Sequence, residues 1–312
     1  MVLQSLSFWL IMAIHIFILV FYYKVGHGHT RTDATTSDSA WPFLRSGTYS
    51  GFLGIMTSFC LVFQTTQSYT RFFEQYNACC RVISNSYAFA TALRSLFDGN
   101  RFEGALEVLQ ELHRQSMAML YLGFGWLPHY KTNNIHMWIL ERLESLELVT
   151  AAEQERILGL SGDALPFFEM YYAITHTLYR ELELGHISER TLDRVNTYFE
   201  AVTVGLVSLY EYSNMPVPFA VYTLLNVMAL GYLVVLAYTQ ILPSYFYSII
   251  PVFLTVVCTL GLREVSNALA DPFGCDDTDI PVLDYVAAVH KTCDEIAAWT
   301  VAQPKAGVKE EV

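Results

Sequence analysis

An all-α membrane protein with a large helical region outside the bilayer is the fold class this sequence predicts, on three observations. Long uncharged runs lie near both ends, amphipathic helical periodicity fills the middle, and no alternating strand pattern of useful length occurs. The composition agrees: of 312 residues, 53% are hydrophobic and 15% charged, against about a quarter charged in soluble domains. A mean hydropathy of +0.33 is still modest for a chain made only of membrane helices, so water-facing structure must accompany the spans.

The first element runs from Leu3 to Tyr23, 21 residues without a charge, and closes on Tyr22-Tyr23-Lys24, an aromatic and cationic interfacial anchor. With no basic leader before it and no small-residue cleavage pattern behind it, it reads as a transmembrane helix rather than a signal or transit peptide. The loop from Gly26 to Ser50 follows, rich in Gly, His, Ser and Thr. Next comes a short apolar stretch, Gly51 to Phe63, which turns polar at Gln64-Thr65-Thr66-Gln67-Ser68-Tyr69-Thr70-Arg71. It is too short for a lipid-exposed span, so its polar continuation must be covered by protein or face water inside a pore.

Between Arg71 and Tyr212 the pattern becomes that of amphipathic soluble-type helices. Phe102, Leu106, Leu109, Leu112 and Leu120 recur near helical spacing among Glu103, Glu107, Glu111 and Arg114. Thr150-Ala151-Ala152-Glu153 has the form of a capping box, and Gly185 is placed to stop a helix. Leu192, Val195, Phe199, Val202, Leu206 and Leu209 mark a further buried stripe. Met215 to Leu242, 28 residues without a charge, and Ser244 to Leu262, 19 more, then form a helical hairpin around Pro243.

Four membrane-associated helices put both ends of the chain on one side. The region 71–214 holds 11 of the 18 basic residues, which favours a cytosolic placement. The predicted organisation is 1–70 for the first helix, loop and short apolar helix, 71–214 for the cytosolic helices, 215–266 for the hairpin, and 267–312 for an acidic loop and C-terminal segment. The net charge of −12 excludes a broad nucleic-acid-binding surface.

Three constellations carry chemistry. Ile55, Phe59 and Phe63 fall at i, i+4 and i+8 and make one narrow apolar stripe. It serves either ordinary helix packing or, if several copies meet around an axis, a hydrophobic constriction opening into a wetter vestibule. Past the hairpin, Asp271-Pro272-Phe273-Gly274 leads to Asp276, Asp277 and Asp279. This is either a solvated acidic turn or a set of hard oxygen donors for Ca²⁺. His27 and His29 form a Gly-His-Gly-His run in a loop, and His15 is expected to pack against protein or near an interface. The six cysteines show no C-x-x-C pair, so neither a disulfide framework nor a zinc site is predicted; Cys60 and Cys258, inside apolar runs, read as packing residues. No catalytic motif occurs, and no enzyme is predicted.

Three separated motifs, Ser68-Tyr69-Thr70-Arg71-Phe72, Met215-Pro216-Val217-Pro218-Phe219-Ala220 and Asp271-Pro272-Phe273-Gly274 with its acidic continuation, resemble the bestrophin channels and their bacterial homologues. The resemblance runs to about Trp299. It implies a homopentamer around a central pore, with four membrane-associated helices per subunit. It implies that Ile55, Phe59 and Phe63 are the pore neck, and that Ile187, in Gly185-His186-Ile187-Ser188, is the cytosolic aperture. It implies calcium held by Asp276 and Asp279 with backbone carbonyls near Ala268 and Asp271, Cys275 standing where some animal members carry an acidic residue. Family members also have a segment before the first helix that contributes a carbonyl to this clasp. The chain begins almost at that helix, so the expectation is weakened calcium binding or a fused or associated N-terminal domain, as in algal fusions with rhodopsin domains.

The expected function is a pentameric ion channel in the lipid membrane, plasma or organellar, passing chloride and similar monovalent anions through a hydrophobic neck gate under calcium control. The rivals are a cation-selective homologue of the same fold, and a membrane scaffold that docks partners without conducting.

Overall fold

The computed structural model describes residues 2–25, 47–97, 102–127, 133–160, 164–215, 219–241, 245–270, 272–273 and 279–298. Ten α-helices and no strand occur among them. In chain order they are α1 (Leu6–Val25), α2 (Gly47–Leu96), α3 (Ala105–Gly125), α4 (Asn133–Ser145), α5 (Ala151–Leu158), α6 (Phe167–Glu183), α7 (Glu189–Asn214), α8 (Phe219–Thr239), α9 (Ile249–Ala270) and α10 (Val282–Ala298). They group into two units, 1–72 with 216–271, and 73–215 with 272–312.

The apolar unit is built on α1, α8 and α9. Phe8, Ile11 and Met12 of α1 interlock with Leu233, Leu236 and Ala237 of α8 and with Val252, Val256 and Leu260 of α9. The α1 positions recur at helical spacing, and the same spacing brings round His15, wholly buried. Its Nδ1 lies 2.6 Å from the Ala237 carbonyl oxygen and its Nε2 3.1 Å from Ser248 Oγ. Both ring nitrogens are satisfied, as a polar group in an apolar interior requires. The outer faces of the three helices expose Leu6, Phe17, Leu224, Val227, Ile250 and Leu254, a surface suited to acyl chains. Two segments, Tyr222–Thr239 and Phe246–Ala270, are long and apolar enough to cross a membrane, and Leu6–Phe21 is a shorter apolar one.

The sequence predicts a short apolar helix at Gly51 to Phe63; the structure instead continues it as one 50-residue helix, α2. No Gly or Pro occurs between Ile55 and Leu96, so nothing in the backbone chemistry ends it. The cysteine reading also changes. Cys258 is exposed and Cys60 half-buried, whereas Cys79 and Cys293 are buried, because the outward face of an apolar helix is as hydrophobic as its packed face.

In the second unit α3 is the central helix. From Gln115 to Gly125 every side is covered, and it packs most extensively on α6 and then on α10. All six predicted α7 stripe residues, Leu192 to Leu209, are buried. Two glycines permit close crossings: a β-carbon at Gly123 would stand 2.7 Å from Leu206 methyls, and one at Gly205 2.5 Å from Val82 Cγ2. The predicted capping box at Thr150 is complete, with the Thr150 side chain accepting from the Glu153 amide and the Glu153 carboxylate accepting from the Thr150 amide. Glu153 is buried, yet Arg114 reaches it at 2.8 Å and Glu111 at 2.6 Å. Burial alone would raise the Glu153 pKa, but Arg114 and Thr150 outweigh it and hold the carboxylate below its ordinary value.

Candidate pore stripe and cation sites

Ile55, Phe59 and Phe63 stand on the open face of α2, exposed by 73%, 71% and 55%. Phe52, Met56 and Val62 are exposed beside them. At about 100° per residue these six cover roughly 120° of the helix. The packed face lies about 190° away and carries Ser50, Thr57 and Leu61, all buried, with Gly54 against Tyr232 of α8. Further along, Ser68 Oγ lies 3.0 Å from Ser266 Oγ of α9. Packing within one chain therefore uses the opposite face and leaves the stripe uncovered. Beyond Phe63 the same line continues as Thr66 and Thr70, both exposed, so side chains change from apolar to hydroxyl along one face.

The other predicted residues are placed differently. Gly185 adopts a left-handed φ of +77° and ends α6, with Gly185 N–H donating to Leu182 O at 2.9 Å and His186 N–H to Glu181 O at 3.0 Å. This turn tucks Ile187 inward, to 7% exposure. The apolar residue this turn offers to solvent is Leu184, exposed by 60%. Asp271 and Asp276, like Cys275, His27 and His29, lie outside the described residues. Ala268 belongs to the last turn of α9, where carbonyls have no intrahelical partner. Asp279 is half-buried just before α10. Carbonyl and carboxylate oxygens are the hard donors that Ca²⁺ takes, so the residue types expected here suit that ion chemically.

One cluster escaped the sequence entirely. His113 of α3 meets His290 and Asp294 of α10, one ligand atom from each lying within 4.8 Å of the others. Burial, the largest influence, lowers the His290 pKa; Asp294 pulls it up, and His113 and Arg142 push it down again. Next to it the Cys293 thiol is pushed up to about 12, first by burial and then by Asp294, which makes it inert. Elsewhere in the unit His136 stacks on Trp126 at 4.1 Å, its Nε2 buried with no hydrogen-bond partner among the described residues, and burial lowers its pKa.

Helices with lipid-compatible outer faces, joined in one chain to a helical unit of soluble type, define an all-helical membrane protein with an uncovered apolar stripe on its longest helix. Residues 2–295 match the family described as bacterial/fungal bestrophin protein, and the chain belongs to the bestrophin family of ion channels. Solved structures share the fold at low identity. A bacterial bestrophin homologue from Klebsiella pneumoniae superposes with TM-score 0.76 at 17% identity, over 94% of this chain and 97% of that one. A point variant of the Klebsiella homologue gives 0.75 at 17%, over 94% and 98%, and a structure described as a membrane protein variant gives 0.77 at 16%, over 94% and 97%. No curated protein matches the sequence.

Proposed function

We propose that this bestrophin-type channel is a homopentamer that conducts chloride and other monovalent anions through a neck formed by Ile55, Phe59 and Phe63. The uncovered face of α2 carries the reading. A helix that packs with one face leaves three bulky apolar side chains open on the other, and the exposed hydroxyls of Thr66 and Thr70 on the same line favour copies of itself over lipid as the cover. Rings of such side chains resist hydrated ions when narrow and admit them when they turn aside. The ring edges of Phe59 and Phe63 carry partial positive charge, which suits a partly dehydrated anion without any fixed cation. Beyond the stripe Thr70 Oγ1 donates to the Thr66 carbonyl oxygen at 2.9 Å, so the Thr66 hydroxyl is the donor where an anion would regain a partner.

Calcium control is the second part of the proposal. Asp276 and Asp279, with the carbonyls of Ala268 and Asp271, would hold the ion, whose chemistry here is charge neutralisation and ordering of the acidic turn.

The test is bilayer recording of the purified protein under a potassium chloride gradient. A reversal potential near that of chloride is expected. A potential near that of potassium overturns the anion reading, and absence of current under all conditions favours the scaffold. Asp276→Ala and Asp279→Ala should abolish any response to micromolar-range Ca²⁺; an unchanged dose response removes calcium from the proposal. Native mass measurement in detergent should give five copies.

A further inference from the structure

The His113, His290 and Asp294 cluster lies in the second unit and has no part in the neck or the acidic turn. His290 and Asp294, at i and i+4 on α10, point the same way, and His113 reaches them from the central helix α3. His113 Nε2 lies 2.7 Å from Asp294 Oδ1, and His290 Nε2 3.5 Å from Asp294 Oδ2. A tetrahedral zinc site with bonds of about 2.0–2.2 Å spaces its ligand atoms about 3.3 Å apart. The two distances run to different carboxylate oxygens, and the three ligand atoms lie within 4.8 Å of one another, so side-chain shifts of about an ångström would bring one atom from each residue to that spacing. The two imidazoles are 15% and 14% exposed, and their direction is set by packing, with the Tyr121 ring edge-on to His290 at 5.8 Å. Asp294 is 55% exposed, which leaves an entry path and room for water as a fourth ligand.

We propose that His113 Nε2, His290 Nε2 and a carboxylate oxygen of Asp294 form a transition-metal site of zinc type, which clamps α10 to α3. Two imidazoles and one carboxylate are borderline donors that suit Zn²⁺ and its neighbours and disfavour Ca²⁺, which takes oxygens. The site holds together residues 181 apart in sequence, so occupancy fastens the C-terminal helix to the centre of the unit.

The experiment uses the full chain in detergent with His27→Ala and His29→Ala, which removes the other histidine pair able to bind metal. ZnCl₂ is titrated by calorimetry and CoCl₂ by visible absorption. One metal per chain, the intense d–d bands of four-coordinate cobalt, and a zinc-dependent rise in Tm are expected. Losing even an outer-shell partner of a metal site costs about 10–100-fold in affinity, so His113→Gln, His290→Gln and Asp294→Ala should each weaken zinc by at least about tenfold. Asp294→Ala is a largely exposed change that leaves the fold intact, and unchanged helical circular dichroism would verify this. No saturable binding, or zinc affinity unchanged in Asp294→Ala and either histidine variant, overturns the site and leaves a plain hydrogen-bonded pair.

Discussion

Replacing Phe59 by Ala, with Phe17→Ala as its matched control, separates a neck ring from an ordinary exposed aromatic. Phe59 is 71% exposed in the single chain and Phe17, on α1, is 70% exposed. A phenylalanine offers about 200 Å², so each leaves about 140 Å² open. At about 25 cal/mol per Å², keeping that area from water is worth about 3.5 kcal/mol per ring. At Phe17 the bilayer already does this, so the change leaves conduction alone. On the proposed reading facing copies of α2 do it at Phe59, and the same free energy opposes wetting of the neck. If as little as about 1.4 kcal/mol of it enters the barrier to an ion, its removal raises conductance about tenfold. Single-channel recording of the two variants beside the unaltered protein measures this directly. Equal conductance in all three, or equal gains in both variants, would refute the neck assignment.

The second unit offers two checks on stability. Arg114→Met strips the cation from Glu153, whose side chain is 7% exposed, and breaking such a pair costs about 3–5 kcal/mol. For a unit of this size the thermal midpoint should fall by about 6–20 °C, and Arg114→Met with Glu153→Gln should recover part of it. The pH dependence follows from His136, whose pKa burial sets below the ordinary imidazole value of about 6.5. The unfolded chain then binds the proton more readily, so this contribution is fully present above about pH 6.5 and is lost as pH falls through the folded value. Thermal melts across that range should show the decline, and His136→Phe, which keeps the stack on Trp126, should flatten it.

Local chemistry was legible wherever it was repeated or closed within a few residues. The α7 stripe from Leu192 to Leu209, the Thr150 to Glu153 capping box and the Gly185 stop all rest on contacts near in sequence or on a single period. The length of α2 was also written there, in the absence of any breaker from Ile55 to Leu96, but the change from apolar to polar at Gln64 hid it. Hydropathy follows surroundings rather than backbone, and α2 passes from one environment to another. Ile187 sits just past the left-handed Gly185, a backbone turn that a glycine in the motif marks but whose effect on the next side chains only the fold sets. His113, His290 and Asp294 were beyond reach, since only packing of α10 on α3 makes them neighbours.

The His15 tie has a consequence for biosynthesis. Its partners, the Ala237 carbonyl and Ser248, follow it by 222 and 233 residues. At about 5–20 residues per second, the first helix waits roughly 10–50 s after leaving the ribosome before either exists. Through that interval an imidazole in the apolar body of the helix lacks both of these partners, which makes early insertion of α1 less secure than its final packing. Completion of the hairpin is then a locking event, and a translational pause before Phe219 would lengthen the exposure of α1 to quality control.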